Sequence, residues 1–180
     1  AALLQSEFAA HWRSKAALLA MGRLWARNIF RNLAILPDLD LAPLPRLGPT
    51  VVCGAGPSLE RALPFIAESQ KAGLLSVLAC DTALAPLLDF GILPDLVVCL
   101  EGQAYNLADF TSLGDRPLEL LADLSSHPAT FRAVRGQKLL SSVSIVPSAF
   151  LDRVGSLGLP LIPCPPLASV GVHSVHLARK

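Results

Sequence analysis

Apolar and polar positions change their rhythm twice along this chain. Up to about Leu36 the apolar residues Leu18, Leu19, Leu24, Trp25, Ile29, Phe30 and Leu33 recur at helical spacing, with Arg13, Lys15, Arg23, Arg27 and Arg31 between them. That pattern predicts one or two amphipathic helices whose basic residues line a solvated face, a reading favoured over contact with phosphate or membrane. Prolines at 37, 43, 45 and 49 then forbid regular helix and predict a linker. From Thr50 onward, short apolar runs alternate with helical segments, as in βαβ units built around a parallel sheet.

The expected elements follow from that alternation. Thr50 to Cys53 reads as a strand, Ser58 to about Ala72 as a helix stopped by Gly73, and Leu74 to Cys80 as a second strand. Thr82 to about Phe90 reads as a short helix ending at Gly91, and Leu96 to Leu100 as a third strand. Further strands are expected at Leu118 to Ala122, Leu139 to Val146 and Leu161 to Cys164. Helices are expected at His127 to about Val134 (closed by Gly136), Ala149 to about Leu157, and Ala168 to Lys180. The fold class is therefore α/β, a Rossmann-like and mostly parallel sheet with helices on both faces, preceded by an N-terminal helical segment. Residues 1–49 form that segment and its linker, and residues 50–180 the core.

Composition agrees with buried parallel strands, since 52% of the 180 residues are hydrophobic and only 16% charged. A net charge of +1 provides no global field for nucleic acid or an anionic membrane, so neither is expected as a partner. No apolar stretch reaches the roughly 20 residues a membrane-spanning helix needs. Cys53, Cys80, Cys99 and Cys164 are widely spaced, with no C-x-x-C pair, and read as buried free thiols of a reducing compartment. No secretion signal is visible, and the cytoplasm is the expected location.

The main local signal is Val51-Val52-Cys53 running into Gly54-Ala55-Gly56-Pro57-Ser58. Two glycines there permit positive φ and close backbone approach, and free amides at the start of the following helix point at an incoming anion. The turn lacks both the third glycine of G-x-G-x-x-G, replaced by Leu59, and a G-K-[ST] sequence. A plain strand-to-helix turn without a ligand therefore remains open. Asp81 and Glu101 stand at the carboxyl ends of the next two strands, where acids bind ribose hydroxyls, hold Mg²⁺ against phosphates or act as general bases. Asp81 can equally cap the segment starting at Thr82.

Tyr105, Asn106 and Asp109 are weaker candidates in the loop beyond Glu101, and Asp95 reads as a structural turn residue at the opposite sheet edge. Ser169, Gly171 and His173 open the last helix at a second small-residue turn. His173 and His176 can share a helical face, but no third ligand accompanies them and a zinc pair is disfavoured. His127 has no evident partner.

Taken together, Gly54-Ala55-Gly56-Pro57-Ser58-Leu59, Cys80-Asp81-Thr82-Ala83-Leu84 and Gly91-Ile92-Leu93-Pro94-Asp95 with Val97-Val98-Cys99-Leu100-Glu101 resemble the 6-hydroxymethylpterin diphosphokinase-like family. That family includes the bacterial motility accessory factors, whose N-terminal helix Trp25, Asn28 and Asn32 resemble. Ser169-Val170-Gly171 is similar to the family's last recognisable motif, and the resemblance implies a domain continuing past Lys180.

The resemblance implies two activities. One is Mg²⁺-dependent transfer of diphosphate from ATP to a pterin. The other is transfer of a nonulosonic acid from a CMP-activated donor to serine or threonine of a protein such as flagellin, and the N-terminal helix places this glycosyl transfer first. Carried onto this chain, Gly54, Ala55, Gly56, Pro57 and Ser58 would hold phosphate or nucleotide, Asp81 and Thr82 would border the nucleoside with Ser169 nearby, and Asp81 and Glu101 would be catalytic. Glu101 departs from the aspartate common at its position, and Mg²⁺, if used, would meet it there. No permanently bound cofactor is implied. A non-catalytic nucleotide-binding module and a purely structural domain are the readings from other classes, and a second copy of the chain is a further partner the N-terminal helix could cover.

Overall fold

The computed structural model describes residues 2–143, 148–165, 167 and 169–180, with side chains from residue 15 onward. The first helix, α1 (Ala2–Ile35), is continuous rather than two helices, and at 34 residues it runs for about 50 Å. A 3₁₀ turn at Leu36–Asp38 ends it, where Pro37 cannot continue the ladder. The proline-rich stretch that follows is more ordered than a linker reading implies. Leu41 bridges Lys138, with hydrogen bonds from the Ala42 amide to the Lys138 carbonyl and from the Lys138 amide to the Asp40 carbonyl.

Six strands then form one sheet: β1 (Thr50–Cys53), β2 (Ser76–Cys80), β3 (Leu96–Cys99), β4 (Leu120–Asp123), β5 (Lys138–Ser142) and β6 (Leu161–Pro163). They lie in chain order, and every neighbouring pair is parallel. Between and after them come α2 (Ser58–Lys71), α3 (Leu84–Asp89), α4 (Pro128–Ala133), α5 (Ala149–Gly155) and α6 (Val170–Ala178). The expected elements are thus present, with bounds moved by a few residues. Val146, the expected end of the fifth strand, and Ala168, the expected start of the last helix, lie outside the described residues. No helix among the described residues is long and apolar enough to cross a membrane.

Parallel strands covered on both faces need apolar side chains on both. In β3, Val97 and Cys99 enter one cluster with Leu63 and Ile66 of α2, Leu87 of α3 and Phe131 of α4. Leu96 and Val98 enter the other, with Leu177 of α6 and with Leu44 and Leu47 from the proline-rich stretch. Helices α2 to α4 therefore cover one face and α6 the other. Glycines stop the helices at Gly73 and Gly91, with φ of +67° and +82°. Gly136 is required at φ +124°, where an added Cβ would lie 2.6 Å from the Leu118 carbonyl oxygen.

The carboxyl edge of the sheet is tied to α1 by two asparagines one turn apart. Asn28 Nδ2 donates to the carbonyls of Gly102 (2.9 Å) and Ser125 (3.0 Å), and Asn32 Nδ2 to those of Leu124 and Ser126 (both 2.8 Å). Both asparagines are fully buried. A Cβ on Gly102 would meet Trp25 Cδ1 at 3.0 Å and the Ser125 carbonyl at 3.1 Å, so glycine lets α1 settle directly onto the loop after β3.

Candidate functional site

At that carboxyl edge a cavity of about 280 Å³ opens between the ends of β2 and β3. Asp81, Thr82, Leu100, Glu101, Tyr105, Asn106, Asp109 and Val170 line it. Asp81 begins a 3₁₀ turn (Asp81–Ala83) that leads into α3, where an uninterrupted helix from Thr82 was expected. Its carboxylate is buried. One oxygen accepts from the Thr82 amide at 2.9 Å and the other from Asn106 Nδ2 at 2.9 Å. Burial pushes the Asp81 carboxyl above the ordinary carboxylate range despite those donors, and the charges of Asp109 and Glu101 add to the rise.

Glu101 is half-buried. Its Oε1 accepts from the Gln103 amide at 2.8 Å, and its Oε2 lies 3.4 Å from the exposed Tyr105 hydroxyl. The negative charge of Glu101 raises the Tyr105 phenol, and burial raises Asp109. Tyr105, Asn106 and Asp109 sit on a 3₁₀ segment, Ala104–Leu113, where the sequence suggests only a loop. Three carboxylates thus line the cavity without one basic side chain, an arrangement suited to accepting hydrogen bonds from hydroxyl groups.

The glycine turn is placed differently. Gly54, Ala55, Gly56, Pro57 and Ser58 are all exposed and do not line this cavity. Neither Gly54 nor Gly56 adopts the positive φ that the sequence reading allows them. An added Cβ on Gly54 would meet nothing within 4 Å, and on Gly56 only Ser58 Oγ at 3.9 Å. Folding therefore does not demand glycine at either place; what the pair leaves is open space over the backbone. Pro57 is the N-cap of α2 rather than its first residue, and no side chain caps that helix. The Leu59 amide is used by the Gly56 carbonyl.

Ser169 is exposed and is the N-cap of α6, its hydroxyl accepting from the Val172 amide at 3.3 Å. It adjoins Val170 in the lining without being part of it. His173 is wholly buried with both ring nitrogens unpartnered, and burial lowers its pKa. Asp95 is structural, as expected: Oδ2 accepts from the Val77 amide at 2.7 Å and from Gln70 Nε2 at 3.2 Å. All four cysteines are buried and free. Among the described residues no three His, Cys, Asp or Glu side chains converge to hold a metal ion. Single carboxylates facing the cavity are still what Mg²⁺ uses when substrate phosphates supply its other ligands.

Sequence reasoning missed Asp123, the last residue of β4. Its carboxylate is buried and accepts from the Ser125 amide and hydroxyl (2.8 and 2.6 Å), the Ser141 hydroxyl (3.1 Å) and the Val143 amide (2.7 Å). It ties the ends of β4 and β5 together. His127 also acquires a role, since Nδ1 accepts from the Ala129 amide as the cap of α4 and its own amide donates to the Glu101 carbonyl at 3.0 Å.

A six-stranded parallel sheet with helices on both faces and a carboxylate-lined cavity at its carboxyl edge defines a Rossmann-like α/β protein. The chain belongs to the 6-hydroxymethylpterin diphosphokinase MptE-like family, whose model matches residues 27–179. An uncharacterized protein of Treponema pallidum (strain Nichols) is 34% identical over 179 residues, covering 94% of this chain and 30% of that protein. A second uncharacterized protein of the same organism is 30% identical over 90 residues, 48% of this chain and 41% of that protein. Among solved structures, the MAf glycosyltransferase from Magnetospirillum magneticum AMB-1 matches with a TM-score of 0.58 at 20% identity, over 77% of this chain and 22% of that one. This likeness supports the fold. The chain spans under half the length of these three relatives.

Proposed function

We propose that this domain binds the nucleotide part of an activated sugar and serves a glycosyltransferase of the motility-accessory-factor kind, with a CMP-activated nonulosonic acid as donor and a protein hydroxyl, as in flagellin, as acceptor. The observation that carries the reading is the acidic cavity at the carboxyl ends of β2 and β3. Its carboxylates suit ribose and sugar hydroxyls, and no basic side chain in its lining neutralises a triphosphate. Asp81, held by Thr82 and Asn106, accepts a nucleoside hydroxyl. Glu101 is the more accessible acid and takes the proton of the acceptor hydroxyl. The phosphate rests over Gly54 to Ser58, where the open backbone and the uncapped start of α2 offer amides.

The family description supports a second reading, Mg²⁺-dependent diphosphoryl transfer from ATP, in which Asp81 and Glu101 would hold the ion together with the phosphates. Calorimetry with CMP, CDP and ATP, each with and without Mg²⁺, separates the two. Metal-independent binding of CMP, weakened about tenfold or more by Asp81→Asn, is the expected result. Binding of ATP only with Mg²⁺ would transfer the assignment to the second reading, and no binding by a folded sample would remove both.

A further inference from the structure

Where α1 meets the loops after β3 and β4, positive charge gathers. Arg27 and Arg31 are one turn apart on α1, Arg27 next to Asn28, which is bonded to the loops after β3 and β4, and Arg31 next to Asn32, which is bonded to the loop after β4. His127 follows directly after Ser126, one of the residues so bound, and Arg132 is exposed in the last turn of α4. Arg27 and Arg31 are exposed as well. Among the described residues none of these three guanidiniums has a hydrogen-bond or ion-pair partner, and the ion pair of Arg135 with Asp115 lies elsewhere. Partial burial lowers the His127 pKa, and the nearby charges of Arg132, Arg27 and Arg31 lower it further. Like charges brought together by the fold cost free energy until an anion relieves them.

We propose that Arg27, Arg31, Arg132 and His127 form a phosphate-binding site at the junction of α1 and α4, separate from the glycine turn. Guanidinium forks match phosphate oxygens in pairs. The His127 Nδ1 is occupied in capping α4, which leaves Nε2–H as a neutral donor toward the same anion. The hydrogen bond from the His127 amide to the Glu101 carbonyl couples the site to the cavity loop. The sequence alone presents the arginines as a solvated helix face, because only the folding of α1 across the sheet edge brings them to Arg132 and His127.

The test is proton NMR of the His127 Hε1 resonance at fixed pH and constant ionic strength, titrating inorganic phosphate against chloride. A saturable shift of this resonance is expected as Nε2–H gains the anion as its partner. The response should weaken at least tenfold in Arg27→Gln/Arg31→Gln, and likewise in Arg132→Gln; all three positions are exposed, so the fold is retained. CMP acting at lower concentration than phosphate, with cytidine inert, would identify a nucleotide as the source of the phosphate; equal potency would identify the free ion. An unmoved His127 resonance, or a response unchanged in both variants, would overturn the site. Because inorganic phosphate is the primary probe, the outcome does not depend on whether the cavity takes a nucleotide.

Discussion

Replacing Asn32 with alanine tests whether α1 is fastened to the sheet edge as described. The substitution deletes two hydrogen bonds of 2.8 Å and leaves the carbonyls of Leu124 and Ser126 facing an apolar gap. A buried acceptor left unpaired costs about 1–3 kcal/mol, the worth of the lost bond included, so the two carbonyls together cost about 2–6 kcal/mol. Part of that returns because Asn32 Oδ1 is itself buried without a partner and disappears with the side chain. The balance is a loss of about 2–3 kcal/mol. For a domain of this size each kcal/mol moves Tm by roughly 2–4 °C, so Asn32→Ala should melt about 4–12 °C lower. Urea denaturation at unchanged m-value reports the same difference as a shifted midpoint. Asn28→Ala should cost less, since its bond to Ser125 is only part-buried, but it releases Gly102 beside Glu101 and should therefore weaken ligand binding in the cavity more than Asn32→Ala does. A loss below about 0.5 kcal/mol for Asn32→Ala would refute the fastening, because that is the scale of an ordinary surface substitution.

Three other outcomes follow from the geometry. Gly136→Ala forces a Cβ to 2.6 Å from the Leu118 carbonyl at φ +124° and should cost about 2–4 kcal/mol in chemical denaturation; an unshifted midpoint would contradict the placement of that turn. Burial raises Asp81 and Asp123 above the ordinary carboxylate value of 3.8, so the stability they contribute is fully present below that pH and is lost as pH rises through their folded-state values. Asp81→Asn should flatten this decline in urea midpoints between acid and neutral pH, and an identical slope in the variant would count against a desolvated Asp81. Burial, with Cys80 adding to it, pushes the Cys53 thiol up to about 11, so Cys53 should alkylate with iodoacetamide at pH 8 only as fast as the chain unfolds. Rapid labelling of the native protein, read by mass spectrometry, would refute its burial.

The sheet was legible because its punctuation is local. Gly73 and Gly91 stop their helices for reasons contained in a few residues, whereas α4 ends at an extended Val134 before Gly136 is reached; the apolar runs between the helices leave little choice but buried strands. Asp81 and Glu101 were legible for the same reason, each standing directly after such a run. Asn106 reads from sequence only as a weak loop candidate, because the 3₁₀ segment carrying it shows neither helical nor strand periodicity. Asp123 reads as the polar end of a strand, and nothing near it in sequence announces that Ser141 and Val143 will close over it. Asn28 and Asn32 did leave a trace, two amides one turn apart beside the apolar positions Trp25, Ile29 and Leu33. Their partners lie in a part of the chain that sequence spacing cannot connect to them. At the glycine turn the sequence permits a positive φ that the fold does not use, since neither Gly54 nor Gly56 lies in that region.

The strict chain order of the sheet has a consequence for synthesis. Each strand pairs with the one made just before it, so the sheet can lengthen at one edge as βα units leave the ribosome, and no strand waits for a later partner. Helix α1 and the stretch around Leu41, which pairs with Lys138, are the exceptions. The carbonyls that Asn32 requires are 92 and 94 residues downstream, which at about 5–20 residues per second is a wait of roughly 5–20 s. Through that interval α1, made before the sheet, stays unsecured, and its apolar stripe is the segment a nascent-chain chaperone would meet.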